Sequence, residues 1–346
     1  MPDGARTGSK HIKIYRKFAI LYILYMMEKN SVAKKIVISV IMVAVFSVIT
    51  WLIAVSMVDS VMAETAGGNE VQLIAIDNGQ QAENMEKSQS DVKKSNDPLD
   101  GIELKLISGY TFSAKMLIIK DPSRVRLASI YPWRDKGIEL HELVKEADAI
   151  AGINGGLYFQ GRNSGGRPEG VSVSDGEIQY NSPATHGLHL VGLTNDNVLR
   201  IIDLTGKKAA DVEKIVKEEG IRDAVTFPEE RRDESNWFVP IIVDGKERVV
   251  KNGLRCCINP RTVVGQRADG AILLMAVNGR GTSAHFGATA VDLIRVMKEN
   301  GAVNAANLDG GSSTCLYFNG KYEQTSTTLY YAKGSWNLPN AFVVDK

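Results

Sequence analysis

The chain has 346 residues, 44% hydrophobic and 23% charged, a composition that excludes disorder along its whole length. Its 41 Lys and Arg balance 40 Asp and Glu to a formal charge of +1, which removes the electrostatic case for nucleic acid, and no nucleic-acid partner is expected. Three cysteines are too few to build a disulfide scaffold.

Residues 1–35 form a basic segment, with eight Lys or Arg against Asp3 and Glu28. Residues 36–58 follow as 23 positions without a charge, about 34 Å long as a helix and enough to cross a bilayer core. Residues 59–100 then hold nine acids against Lys87, Lys93 and Lys94. That asymmetry predicts a single-pass membrane protein whose N-terminus is cytoplasmic and whose remainder is extracytoplasmic. Val61-Met62-Ala63 has the small-x-small form of a signal peptidase site, and cleavage after Ala63 would give a secreted protein instead. Residues 59–98, rich in Glu, Gln, Asn, Ser and Lys, read as a disordered stalk between the membrane and a domain over 99–346.

In that domain the pattern turns to short strands and glycine turns. Strands are expected over 104–107, 116–119 and 125–131, with turns at Ser108-Gly109 and Asp121-Pro122. A short helix over 139–147 leads into a strand over 149–153. Ala209, Val212, Ile215 and Val216 recur at helical spacing within 208–219, a helix that stops at Gly220. Asp244-Gly245-Lys246 joins 241–243 to 249–250 as a hairpin, and 271–277 is apolar enough for a fully buried strand. An amphipathic helix over 291–299 ends at Asn300-Gly301, strands over 304–308 and 315–318 flank a glycine-serine loop, and 341–344 closes the fold. Strands outnumber helices without regular alternation, so the class is α+β, a mixed, strand-rich sheet domain with a few packing helices.

Two loops set a polar side chain among glycines directly after an apolar strand: Asn154-Gly155-Gly156 and Asp309-Gly310-Gly311-Ser312-Ser313. Glycines let backbone N–H groups approach a ligand, and the hydroxyls add donors for anionic oxygen. Arg261, in what reads as a turn at Asn259-Pro260-Arg261-Thr262, has the planar fork that grips phosphate or carboxylate. Asn278-Gly279-Arg280 ends the buried strand, a common position for ligand groups. Two such loops with two arginines favour one shared site over four unrelated turns.

These motifs, INGGLYF at 153–159, NPRTVVG at 259–265 and NAANLDGGSST at 304–314, resemble the phosphodiester glycosidase family. Gly287-x-Thr289 and Leu338-Pro339-Asn340-Ala341 fit as well, and the likeness runs from about 149 to 344. It implies hydrolysis of sugar-1-phosphodiester bonds, here in extracytoplasmic glycans of the cell-wall or exopolysaccharide type. On that reading Arg261, the Gly310 and Gly311 amides, Ser312 and Ser313 bind phosphate, with Arg280 beside them. Asp309 serves as base, nucleophile or oxocarbenium stabiliser, Glu169 is the second carboxylate and His186 a further acid/base candidate. Asn154 and Asn278 orient sugar hydroxyls or phosphate oxygens. Bacterial relatives commonly read Asp-Gly-Arg where this chain has Asn278-Gly279-Arg280. That departure supports the alternative, a non-catalytic glycan-binding or exopolysaccharide-assembly protein with the same fold. The segment PEERRDESNW at 228–237 reads as an insertion that reshapes a substrate rim.

Other signatures fail. His141-Glu142 is followed by Lys145 where a zincin needs its second histidine, and His186-Gly-Leu-His189 lacks further ligands at metal spacing, so no metal cofactor is assigned. Cys256 and Cys257 are adjacent; one of them pairs with Cys315, or all three stay reduced. Oligomeric state is not legible.

Overall fold

The computed structural model describes residues 97–161, 164–183, 187–230, 237–248, 257–281, 285–327 and 334–346. The basic segment, the apolar run over 36–58 and nearly all of the stalk lie outside the described residues, as do His186, Cys256 and the expected hairpin arm over 249–250. Among the described residues no helix is long and apolar enough to cross a membrane.

Among the described residues the domain has three sheets. The first has seven strands in the order Ile102–Ser108, Ser113–Ile119, Ile272–Val277, Arg261–Arg267, Ala302–Asn307, Pro240–Val243 and Lys246–Glu247. The second runs Lys321–Gln324, Leu316–Phe318, Ala149–Asn154, Asn340–Asp345 and Val125–Ser129. The third runs Glu177–Asn181, Val171–Ser174, Ile221–Pro228, Leu188–Thr194 and Leu199–Asp203. Neighbouring strands pair antiparallel throughout the three sheets, so the mixture is one of sheets and helices rather than of strand directions.

Among the described residues one α-helix packs on each sheet. Leu140–Glu146 starts with a capping box between Glu139 and Glu142 and buries Leu140, Leu143 and Val144. The Val144 methyl sits so close to Gly152 that a Cβ there would meet it at 2.6 Å, which is why this strand carries glycine at its centre. Ala209–Glu218 presses Val212 and Val216 on the third sheet. Ala290–Glu299, capped by Thr289 and Asp292, buries Leu293, Val296 and Met297 against the first. Leu274 from the first sheet, Ile153 and Phe342 from the second, and Val191 and Val225 from the third share one core. Each fully buried Leu or Ile stabilises this meeting of sheets by about 2 kcal/mol.

The third sheet has no counterpart among the expected elements, because its strands interrupt their apolar pattern. Asp223 lies buried within Ile221–Pro228, paired with Arg222 and accepting from the Asp175 N–H at 3.3 Å. Val171–Ser174 is only four residues long and alternates Val with Ser. The Asp175-Gly176 turn between its first two strands, with φ of 51° and 75°, is the sequence signal that marks the hairpin.

Candidate active site

The site forms where three strand ends converge. Ala302–Asn307 pairs with Arg261–Arg267, and the chain beyond it keeps that alignment, with Leu308 N–H donating to Thr262 O at 2.8 Å and Gly311 N–H to Pro260 O at 2.9 Å. Asn154, ending its strand in the second sheet, fastens the junction. Its amide donates to the Asp309 carbonyl at 2.8 Å, while its oxygen accepts from the Thr262 hydroxyl at 2.8 Å and the Cys315 N–H at 3.2 Å. The third sheet joins through Leu157, whose N–H donates to Thr226 O at 2.8 Å. A cavity of about 500 Å3 opens over this junction, a volume suited to a sugar-sized ligand.

Asp309 is the chemical centre of that cavity and only 6% exposed. Burial pushes its carboxyl from 3.8 up to about 7, against hydrogen bonds from the Ser313 hydroxyl, the Gly310 N–H and the Gln160 amide and the charge of Arg280, all of which favour ionisation. The Gln160 amide lies 3.3 Å from Oδ2. Tyr158 stands behind Ser313 with its hydroxyl 3.1 Å from Oγ, and burial together with the Asp309 charge raises its pKa well above 10.0. With Ser313 donating to the carboxylate, Tyr158 donates to Ser313, and the chain Tyr158–Ser313–Asp309 is a fixed line of donors.

Beside it is an arginine–serine corner. Arg280 adopts a left-handed backbone with φ of 57°, held by its N–H on Phe286 O at 3.0 Å, and its guanidinium donates to the Ser312 hydroxyl at 2.6 Å. Such a conformation costs a non-glycine residue about 1 kcal/mol or more. Gly311, at φ of 62°, has a left-handed backbone that favours glycine, and a Cβ there would displace the Arg280 guanidinium. Arg280, Gly310, Gly311, Ser312 and Ser313 line the cavity together with Glu169, so both expected carboxylates face one space.

Several expected ligand groups have other work. Arg261 opens a strand rather than a turn, and is 3% exposed. Its Nε donates to Ala288 O at 3.3 Å, its fork to Cys257 O, and its guanidinium stacks 4.8 Å from the Phe238 ring, so it borders the cavity as a buried brace. Asn154 acts through Asp309's backbone and does not line the cavity. Asn278 is likewise absent from the cavity wall: its oxygen accepts from Ser113 N–H at 2.8 Å and its amide donates to Ser113 Oγ at 2.7 Å. Gly155 and Gly156 are packing glycines, where a Cβ would meet Asn340 Oδ1 at 2.2 Å and Thr226 O at 2.4 Å. His189 sits in a strand with its ring 3.3 Å from Gly187 O, and among the described residues no three His, Cys, Asp or Glu converge as a metal would need. Cys315 is a buried, unbridged thiol whose pKa burial pushes up, which removes its pairing with Cys256 or Cys257.

The lining residues that sequence reasoning missed are Gln160, Tyr158, Phe159 and Phe227; Trp237 enters it only as the end of the rim segment over 228–237. Tyr158 and Phe159 sit within INGGLYF, and aromatic residues beside a glycine loop are a usable signal. Nothing local marks Gln160: it reaches Asp309 because Phe159 N–H donates to Arg167 O at 3.2 Å and Glu169 N–H to Leu157 O at 2.9 Å, folding the segment back on itself.

Comparison with known proteins adds three findings. A family profile described as phosphodiester glycosidase matches residues 147–345. The "SPbeta prophage-derived uncharacterized protein YomE" of Bacillus subtilis (strain 168) is 26% identical over 185 residues, 52% of this chain and 26% of that protein; the chain thus spans about a quarter of that relative's length. The zebrafish N-acetylglucosamine-1-phosphodiester alpha-N-acetylglucosaminidase catalytic domain, in a structure auto-inhibited by its pro-peptide, superposes with a TM-score of 0.55 at 16% identity, over 71% of this chain and 82% of that one. That likeness is one of fold.

Proposed function

The chain belongs to the phosphodiester glycosidase family, and from that premise we propose that it hydrolyses sugar-1-phosphodiester bonds in extracytoplasmic glycans of the cell-wall or exopolysaccharide type. The observation that carries this reading is one cavity holding a buried carboxyl with a pKa near 7 beside an arginine–serine corner. The phosphate monoanion of the diester lies against Arg280, Ser312 and the Gly311 turn, where charge-assisted bonds hold it. Water attacks the anomeric carbon, and its proton passes to the Asp309 carboxylate. The bond between that carbon and the phosphate oxygen breaks, leaving the sugar and a phosphate monoester. The departing oxygen carries its electrons onto a group that Arg280 already neutralises, so no strong acid is needed on that side. Glu169, which lines the same cavity, stabilises positive charge developing on the sugar ring.

The location outside the cytoplasm rests on the basic segment, the apolar run and the acidic stretch in that order. Asn278, on which the non-catalytic alternative draws, bonds Ser113 N–H and Oγ and is not among the residues lining the cavity, which supports the catalytic reading over that alternative. The test is incubation with a panel of sugar-1-phosphodiesters in oxygen-18 water. Label in the sugar supports the reading; label in phosphate moves the attack to phosphorus, and no turnover on any glycan phosphodiester removes the proposal.

A further inference from the structure

Burial opposes the ionised form of Asp309, and the donors that favour it come from two places in the chain. Ser313 and Gly310 belong to the loop that bears Asp309 itself. Gln160 does not: it comes from a segment 149 positions away in sequence, and its amide donates to Oδ2 at 3.3 Å. That segment is clamped. Tyr158 bridges to Pro168, Gly165 N–H donates to Phe159 O at 3.3 Å, and Ser164 N–H donates to Gly161 O at 3.0 Å. The returning stretch is tied in turn to the chain over 134–137, with Gly137 N–H on Ser164 O at 2.6 Å and Arg134 N–H on Gly166 O at 3.1 Å. The Arg167 guanidinium lies 5.3 Å from the centroid of the Phe159 ring. Gln160 itself is exposed and lines the cavity, so a side chain on a fixed backbone reaches from the open side to a buried carboxyl.

We propose that Gln160 is a positioning residue for Asp309: its amide holds the carboxylate in one orientation and favours the ionised, proton-accepting form. The proposal rests on the phosphodiester glycosidase reading given above, in which Asp309 takes the proton of the attacking water. An ionised carboxylate only accepts, so the nitrogen of the carboxamide faces it. An exposed glutamine ordinarily gains little from one hydrogen bond, because several rotors must be ordered to make it. Here the acceptor is a charge in a site poor in water, where a donor is worth more. The bond is long at 3.3 Å, which sets its effect below that of the strongest charge-assisted pairs. Other titratable and charged groups face the same carboxyl. Arg280 follows the strand Ile272–Val277, Tyr158 comes from the segment that carries Gln160, and Cys315 lies beyond the loop that bears Asp309. Glu169 and Arg261 line the cavity with it. Burial raises both Tyr158 and Cys315, so they keep their protons between pH 4.5 and 8, and every one of these groups is common to wild type and variant.

The test compares the full chain with Gln160→Met, which keeps the length and loses the donor, and with Gln160→Glu, which keeps the shape and adds a like charge. Loss of the donor raises the pKa of Asp309. Urea unfolding curves of the wild type and Gln160→Met therefore coincide at pH 4.5, where the folded carboxyl is protonated in both, and separate by pH 8 with the variant weaker. The expected shift is about 0.3–1 pH unit, or roughly two- to tenfold in the proton equilibrium, and larger in Gln160→Glu. On a sugar-1-phosphodiester, kcat/KM of Gln160→Met is lower by that factor below pH 7 and recovers toward pH 9. Unfolding curves that stay superposed or run parallel from pH 4.5 to 8 overturn the proposal. So does an activity loss of equal size at every pH, which marks packing or substrate binding, or a shift in Gln160→Glu with none in Gln160→Met, which marks a nearby charge without a bond. Unfolding curves that separate as expected in a protein that hydrolyses no glycan phosphodiester retain the hold on Asp309 and refute the activity instead.

Discussion

Replacing Asp309 by Asn tests burial and chemistry in one variant. In the folded protein this carboxyl titrates at about 7, against 3.8 for an ordinary one, a difference worth on the order of 4 kcal/mol. Below pH 4 the group is protonated in both folded and unfolded chains and exerts no differential effect. As pH rises from 4 to 7 the unfolded chain ionises while the folded one holds its proton, so stability drains across that window, and above 7 the full penalty is present. Asp309→Asn carries no such titration. Its amide nitrogen faces donors on Ser313, Gly310 and Gln160, a mismatch of about 1–3 kcal/mol at any pH. Urea unfolding of both proteins from pH 4.5 to 8 therefore shows the variant weaker at the acid end and gaining steadily on the wild type, with the gap closing or reversing near pH 8. Turnover falls by a factor of about 100 to 10,000 in the variant, and wild-type kcat/KM rises with pH through about 7 as the base form appears. Two stability curves that run parallel across this range, or a folded Asp309→Asn protein with normal turnover, would refute the reasoning.

Arg261→Lys keeps the charge but loses the fork that meets the Ala288 and Cys257 carbonyls and the stack on Phe238, so the melting temperature falls by several degrees while inhibition by inorganic phosphate is unchanged; an unaltered melting temperature would return Arg261 to phosphate binding. Arg280→Gly suits the left-handed backbone, and it weakens inhibition by inorganic phosphate about ten- to a hundredfold with little change in stability. A protease added to intact cells cuts within the stalk over 59–98 and releases the C-terminal domain, and a reporter fused after residue 64 that proved cytoplasmic would defeat the extracytoplasmic reading.

Elements that bury a continuous apolar stripe were legible from the chain alone. The run Ile272–Val277 is buried at all six positions, and the helices Ala209–Glu218 and Ala290–Glu299 carry their periodic apolar faces against a sheet. The third sheet was not, because it buries Asp223 and Ser172 where a pattern reader expects apolar residues. Asp309 and the hydroxyl loop were legible as a candidate because the pattern, a polar side chain among glycines after an apolar strand, occurs twice, at Asn154 and at Asp309. The division of labour between arginines was not. Arg261 and Arg280 differ in what surrounds them, backbone carbonyls and Phe238 for one, Ser312 and Asp309 for the other, and those surroundings come from segments far apart in sequence. Asn154 shows the same limit: its position beside two glycines suggested a ligand group, yet all its partners are protein atoms of Asp309, Thr262 and Cys315.

The two arginines and the asparagine explain how a carboxyl comes to be buried at a cavity floor without collapse of the loop that bears it. An exposed Asp309 would titrate near 3.8, stay ionised at neutral pH and be a poor proton acceptor. On the proposed function, raising it to about 7 makes it a stronger base while about half of it remains ionised at pH 7. The same change removes several kcal/mol of folding stability above pH 7, a load comparable with the whole margin of an ordinary domain. Fixed backbone contacts must carry that load, since any sagging of the loop would admit water and return the carboxyl to its ordinary value. Asn154 pins the Asp309 carbonyl, Pro260 O accepts from Gly311 N–H, and the buried Arg261 locks the strand from which that carbonyl projects. On the proposed function, Asn154 and Arg261 act one step earlier than the ligand, by holding in place the loop that buries Asp309.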